Sequence, residues 1–216
     1  MKHTLLIIVA VMLVVWFYAF GDDKDQSEYD AKLEEELSSS RKVNDIFLTF
    51  KFGDSKSEVN NKFSQLKDEG KLYLDENLHY TYRFVFDDYF NIGYATFSQK
   101  YHNDKLYEFR MMVKPHDDMK DLGGSGSADY LQLKSESLLI SLATLYMDKY
   151  GLPISKDNIL FDTEDEFWLN GNREIKLSLS NGFVNILYRD LSTLQSIEEE
   201  RKEKILDEAI KTKEDI

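Results

Sequence analysis

The chain has 216 residues, and its 27 basic against 40 acidic residues give a formal net charge of −13. Hydrophobic residues make up 42% of the chain, which is enough for a folded core and argues against global disorder. The acidity argues against nucleic acid as a partner, because phosphate binding needs a dense cationic surface. The absence of Cys excludes disulfides, thiolate chemistry, thiolate-ligated zinc and N-terminal lipidation at Cys.

Residues 1–21 have the composition of an export signal. Lys2 precedes an apolar run from Leu5 to Phe20, and Asp22 follows it. This order places the N-terminus in the cytoplasm and exports the remainder, while the run is shorter than the ~20 residues that span a bilayer. We therefore predict a cleaved signal peptide; the alternative is an uncleaved single-pass anchor, the chain's only contact with a membrane.

The expected compartment is the periplasm or the exterior of a bacterial cell. Many exported eukaryotic domains of this size carry disulfides, and this chain has neither Cys nor an Asn-x-Ser/Thr glycosylation site.

The following segment, residues 22–44, is polar and acidic, and we predict a spacer there. Tyr29, Leu33 and Leu37 recur every four residues, so a short helix is compatible with this segment.

Residues 45–114 form a predicted first α+β half. Ser55 and Glu58 have the spacing of a capping box at the start of a helix predicted over residues 55–69. The apolar residues of this helix lie on one face: Val59, Phe63 and Leu66. Strands are predicted at 71–74, 79–86, 90–97 and 105–113, with Asn103-Asp104 as the last turn. Apolar and polar residues alternate along them, as in an antiparallel sheet with one buried face.

The polar side of these strands is the candidate binding surface. Tyr80, Tyr82 and Phe84 share one side of their strand and are expected to face the core. Residues of the opposite side are then expected in solvent. Five of them form the candidate surface: His79, Thr81, Arg83, Glu108 and Arg110.

Residues 115–126 are rich in Gly and Asp and are predicted to be a flexible linker. Residues 127–190 then repeat the order of one helix and four strands. The helix is predicted to end before Gly151, with this apolar stripe: Leu138, Leu139, Leu142, Leu145 and Tyr146. The strands are predicted at 159–161, 166–169, 174–179 and 183–189. The dipeptides Asn170-Gly171 and Asn181-Gly182 indicate two-residue hairpin loops.

Residues 191–216 are predicted to form a charged C-terminal helix, with Ser192 and Gln195 as a capping box. The helix is expected to lie solvated on the domain; the alternative is a helix that binds a partner. The predicted fold class is α+β, with helices packed on antiparallel sheet. The repeated helix-plus-four-strand order raises the hypothesis of a duplication and fits one sheet or two.

The sequence at 52–59, Phe-Gly-Asp-Ser-Lys-Ser-Glu-Val, resembles the strand, glycine turn and capped helix that open the repeats of the β-lactamase inhibitory protein. The outer-membrane assembly lipoprotein BamE opens similarly, and Gly53, Ser55 and Val59 match the shared pattern. The resemblance implies a helix on antiparallel strands and a protein-binding role, and it transfers no catalytic residue. This chain departs from the two families in having no lipidation Cys and no disulfide. The second half resembles small exported Bacteroidetes proteins of unknown function, at Lys149 to Pro153, Trp168 and Tyr188.

The sequence carries no motif for catalysis, metal binding or phosphate binding. Its His residues lack metal-ligand spacing, and there is no Gly-x-Ser-x-Gly or Gly-rich Lys-Ser/Thr loop. The densest carboxylate cluster, Asp162 to Glu166, is interpreted as an acidic turn, with a calcium or acid–base site as the alternative. We therefore expect no catalytic residue, cofactor or metal.

The predicted function is a non-catalytic module that binds an envelope or secreted protein. Two alternatives stay open. One is a binder of a small ligand or glycan, or an enzyme, with a scattered site. The other is a membrane-anchored scaffold with the C-terminal helix as its docking arm.

Overall fold

The fold is given by a computed structural model, which describes residues 22–86, 92–116, 127–158 and 163–214. Three predicted features lie outside these residues: the signal or anchor at 1–21, most of the linker, and the strand at 159–161. The described residues form four helices and one antiparallel sheet of eight strands, which confirms the predicted α+β class. No helix in these ranges is both long and apolar enough to cross a membrane.

Both halves of the chain belong to a single sheet, and each half contributes four adjacent strands to it. The helices are α1 (Asp22–Ser38), α2 (Lys56–Asp68), α3 (Ala128–Tyr150) and α4 (Leu191–Glu214). The strands are β1 (Tyr73–Leu74), β2 (Tyr80–Val85), β3 (Ile92–His102), β4 (Lys105–Pro115), β5 (Ile154–Asn158), β6 (Thr163–Asn170), β7 (Arg173–Ser180) and β8 (Phe183–Asp190). Their spatial order is β1-β2-β3-β4-β8-β7-β6-β5. The two halves therefore join where β4 pairs with β8, and the chain forms one sheet rather than two.

Local sequence signals account for the start of α2 and for two of the hairpins. Ser55 caps α2, and its capping box with Glu58 is formed as predicted. The loop Asn181-Gly182 joins β7 to β8, and both residues have positive φ, as a two-residue type I′ turn requires. Asn103 and Asp104 form the two-residue loop between β3 and β4 and also have positive φ. These turns set the register of both hairpins, because a two-residue loop fixes which residues face each other.

Helices α2 and α3 cover one face of the sheet and form the core with it. The buried residues of the two helices are Val59, Phe63 and Leu66 on α2, and Ser135, Leu138, Leu142 and Tyr146 on α3. They pack on alternate residues of the strands, among them Phe109, Met111, Ile175 and Ile186. Leu145 was predicted in this stripe but is 47% exposed, because it points away from the sheet. Tyr146 and Tyr188 join their hydroxyls by a hydrogen bond inside this core.

The segment predicted to be a spacer packs on the sheet instead. Its helix α1 contacts β5 and β6, and the Tyr29 ring packs edge-on against Phe167 with centroids 5.2 Å apart. Farther along, the backbone N–H of Val43 donates a hydrogen bond to the Asn172 side chain over 2.6 Å. The low hydrophobicity of the segment misled the prediction, since a few contacts of this kind are sufficient to hold a polar helix.

Other predictions in the second half need correction. The loop between β6 and β7 is Gly171-Asn172, one residue later than predicted, because Asn170 pairs with Arg173. The cap of α4 is supplied by the Asp190 carboxylate, which accepts a hydrogen bond from the backbone N–H of Ser192 over 3.1 Å. Ser192 therefore lies inside the helix and is not its cap. The first strand of the half, β5, begins at Ile154, directly after Pro153, where the sequence predicted no strand.

Candidate functional site

The face of the sheet opposite α2 and α3 is called here the open face. Helix α1 covers part of it, mainly near β5 and β6. Because side chains alternate along a strand, each strand contributes every second residue to this face, and the strand pairing aligns those residues in rows across the sheet. Two of the rows carry most of the charge on the face, and they lie at opposite ends of β4.

The first row, called here the charged row, is Lys100, Glu108, Arg189 and Glu174 on four neighbouring strands. Lys100 Nζ lies 3.0 Å from Glu108 Oε1, and Arg189 Nε donates to Glu108 Oε2 over 3.2 Å. The same guanidinium reaches Glu174 over 3.4 Å, and the Tyr29 hydroxyl of α1 donates to Glu174 over 2.5 Å. Opposite charges thus alternate across the sheet and neutralise one another.

The two carboxylates of the charged row are buried beneath their cations. Glu108 and Glu174 are only 4% and 3% exposed. Burial by itself would raise the pKa of Glu108, but the hydrogen bond from Lys100 and the charge of Arg189 outweigh it and hold that pKa below 4.5. Burial, followed by the charge of Glu174, raises the pKa of Tyr29. Both groups therefore keep the protonation state that the network needs at neutral pH.

The second row, called here the cation–aromatic row, is Arg83, Tyr94 and Lys114 on three paired strands, followed by Phe183, which lies just beyond the last pair of β4 and β8. Arg83 and Lys114 flank Tyr94 on its two sides, and both are exposed. Neither cation forms an ion pair with any residue that the structure describes. Phe183 is 37% exposed beside Lys114, and His116 packs edge-on against Tyr94 with ring centroids 5.5 Å apart.

Next to this row the open face has a hollow of about 580 Å³. Three large apolar side chains of the open face line it and are exposed to similar extents: Tyr73 (41%), Met112 (40%) and Phe183 (37%). Thr81 and Thr96 form its floor, and Lys114 lies at one rim. At the opposite rim lie Asp75 and Glu76 in the β1–β2 turn. Apolar surface of this kind at the centre of a charged rim is typical of a protein-binding surface.

The five candidate residues from the sequence do not form one patch. Thr81 and Arg83 lie at the hollow and the cation–aromatic row. Glu108 and Arg110 belong to the other end of the sheet, with Arg110 Nη2 3.7 Å from Glu108 Oε1. His79 precedes β2 and lies near Asp75, its Nδ1 3.5 Å from the carboxylate.

Two of the five residues were wrongly expected in solvent. Thr81 is 3% exposed and Glu108 is 4% exposed, because side chains from neighbouring strands cover them. Sequence reasoning missed Tyr73, Met112, Lys114 and Phe183. The alternation along 105–113, continued by one residue, does assign Met112 and Lys114 to the polar side, but which strands lie beside them depended on a pairing that the sequence left open.

A second depression of about 760 Å³ lies between α1 and the β5–β6 edge. Two aromatic side chains that line it already contact other residues of the protein. Phe167 contacts Tyr29 and Lys176, and the Arg173 guanidinium stacks over Tyr150 at 5.0 Å. From the predicted acidic cluster, Asp165 is buried and forms an ion pair with Lys176, whereas Asp162 lies outside the described residues. Within those residues, no group of three or more acidic, His or Cys side chains is arranged to hold a metal ion.

No protein-family model, curated protein or solved structure matches this chain. The resemblance at Gly53, Ser55 and Val59 stays a prediction. In the structure Gly53 has positive φ in the turn before α2, Ser55 caps the helix, and Val59 is buried in the core.

Proposed function

We propose that the protein is an exported, non-catalytic module that binds another protein through the hollow and the cation–aromatic row. The observation that carries the proposal is the cluster of three large apolar side chains around the hollow, Tyr73, Met112 and Phe183, each more than a third exposed. Burying such side chains against a partner contributes roughly 25 cal/mol per Å² of apolar area, which favours association. Residues 1–21 and the acidic composition support an envelope or extracellular location for that partner.

The shape and chemistry of the hollow favour a protein over a small molecule. It lies on a sheet face, and its apolar residues come from separate strands that the sheet holds in place. The Thr81 hydroxyl on its floor already donates to the His79 carbonyl over 3.3 Å. Charged groups lie at the rim, where they direct a partner without being buried at the centre.

Site-specific photo-crosslinking in the native host tests this proposal. A benzophenone amino acid replaces Phe183 at the hollow, and a control places it at Leu133, which is 64% exposed on α3, on the other side of the sheet. We expect one protein crosslinked from position 183 and not from 133, and lost when Met112→Asp is added. Crosslinks that are equal at the two positions, or no crosslink from position 183, would contradict the proposal.

A second candidate function is binding of a small ligand in the depression beside α1. The observation that favours it is Asn170, which lines that depression and whose side-chain oxygen is buried without a hydrogen-bond partner among the described residues. A ligand with a hydroxyl or amine could donate to this oxygen. Thermal-shift measurements with oligosaccharides test it, with Asn170→Asp as the matched variant; no shift with the unsubstituted protein would remove this candidate.

A further inference from the structure

We infer that the segment bound at the hollow and the cation–aromatic row is acidic and carries aromatic or large aliphatic side chains. This inference rests on the proposed function and specifies the chemistry of its partner. It depends on which charges of the open face remain available after the contacts within the protein are formed.

Most cations of the open face are already paired with carboxylates. Lys100, Arg110 and Arg189 all approach the Glu108 carboxylate within 3.7 Å. Lys176 forms an ion pair with Asp165. These cations have their counter-charges within the protein, so they contribute little to recognition of a partner.

Arg83 and Lys114 are different. Both are exposed, and neither has an ion pair with a residue in the described ranges. They lie on β2 and β4 with β3 between them, so their backbones are about 10 Å apart, twice the spacing of neighbouring strands. Two cations at this separation, with the Tyr94 ring between them, can receive two carboxylates from one extended segment.

The carboxylates at the other rim of the hollow, Asp75 and Glu76, repel the acidic groups of a partner and so favour their placement at the opposite rim. Asp75 is engaged in its own turn, where its Oδ1 accepts hydrogen bonds from the backbone N–H groups of Asn77 and His79 over 2.9 and 2.8 Å. These bonds, chiefly that from His79, lower the pKa of Asp75. The acidic groups of a partner are therefore expected beside Arg83 and Lys114, and its apolar groups over Met112.

The net charge of −13 does not oppose binding of an acidic segment at contact distance. At physiological salt, charges farther than about 8 Å are largely screened, so groups in contact decide the preference. The acidity of the protein makes the choice of peptide informative, because non-specific attraction to a protein of negative net charge would favour a basic peptide. Binding that prefers an acidic peptide must come from local cations.

The test measures fluorescence anisotropy with labelled peptides of twelve residues: alternating Glu–Tyr, alternating Lys–Tyr and alternating Glu–Gly. We expect the Glu–Tyr peptide to bind most tightly, because only this peptide supplies both carboxylates and rings. The double variant Arg83→Gln/Lys114→Gln should weaken its binding about tenfold, since a partly exposed ion pair contributes up to about fivefold. The control Lys56→Gln/Lys67→Gln removes the same charge from α2, on the other side of the sheet, and should leave binding unchanged.

Tighter binding of the Lys–Tyr peptide, or equal affinity in the two double variants, would overturn the inference. The crosslinking experiment distinguishes this failure from that of the proposed function. If position 183 captures one protein but the crosslinked segment is not acidic, the binding function stands and the acidic partner is excluded. If there is neither a crosslink nor peptide binding, both fall.

Discussion

Replacement of Glu108 by Gln tests whether the charged row stabilises the fold. Gln keeps the shape of the side chain but removes the charge that faces Lys100 at 3.0 Å, Arg189 at 3.2 Å and Arg110 at 3.7 Å. Loss of one member of a wholly buried ion pair costs about 3–5 kcal/mol. Here the three cations are at least a third exposed and can regain hydration, so we expect a loss of about 1–3 kcal/mol in the free energy of unfolding.

The pH dependence of that loss gives a second, independent readout. The pKa of Glu108 in the folded protein lies below the ordinary value of 4.5, so its charge stabilises the fold above that pH. The contribution fades as the pH falls from 4.5 through the lower folded pKa. Urea unfolding at about pH 7 and about pH 3 should therefore show a smaller difference between wild type and variant at the acidic pH.

Glu198→Gln is the control, because Glu198 is an exposed glutamate on α4. It should change the unfolding free energy by less than about 0.5 kcal/mol. If Glu108→Gln has an equally small effect, or if its effect does not decline in acid, then the row does not stabilise the fold. Binding of the Glu–Tyr peptide should be unchanged by Glu108→Gln, since the charged row lies at the other end of β4 from Lys114.

Three further substitutions examine two hairpin loops and the buried tyrosine pair. Gly171 and Gly182 both have positive φ, but a Cβ on Gly171 would also overlap the Arg41 carbonyl, whereas Gly182 has open space. Gly182→Ala should thus cost about 1 kcal/mol and Gly171→Ala clearly more, and equal melting temperatures would contradict the contact with Arg41. Tyr188→Phe leaves the Tyr146 hydroxyl without its partner, at a cost of about 1–3 kcal/mol in urea unfolding. Burial raises the pKa of Tyr188 above 10, so the stability that depends on its protonated form should be lost as the pH rises past 10, and this alkaline loss should be smaller in the variant.

Local signals predicted the elements whose ends and faces are encoded within a few residues. Ser55 with Glu58 began α2, and Asn181-Gly182 formed the loop between β7 and β8, because a cap or a two-residue turn depends only on nearby backbone. Signals of the same kind failed where a competing group was better placed. Asp190 caps α4 in place of Ser192, since its carboxylate reaches the first free N–H groups of the helix.

The candidate site was predicted only in part, because alternation assigns a residue to a face but not to a neighbour. Arg83 was correctly expected to be exposed on the polar side of its strand. Glu108 has the same alternation, yet Arg189 and Lys100 on adjacent strands cover it, and Arg189 comes from the other half of the chain. Phe183 approaches Lys114 for the same reason, across the junction of the two halves.

The sequence alone determined the α+β class, the positions of α2 and α3, and the strands around three of the hairpins. These features depend on periodicity, caps and turn residues, which act over short stretches of chain. Only the tertiary structure decided that β4 pairs with β8, that α1 packs on the sheet, and that the hollow lies beside Arg83 and Lys114. Those features depend on contacts between residues that are distant in the sequence. Burial and charge pairing across those contacts stabilise them, and a local sequence pattern does not indicate which distant residues will meet.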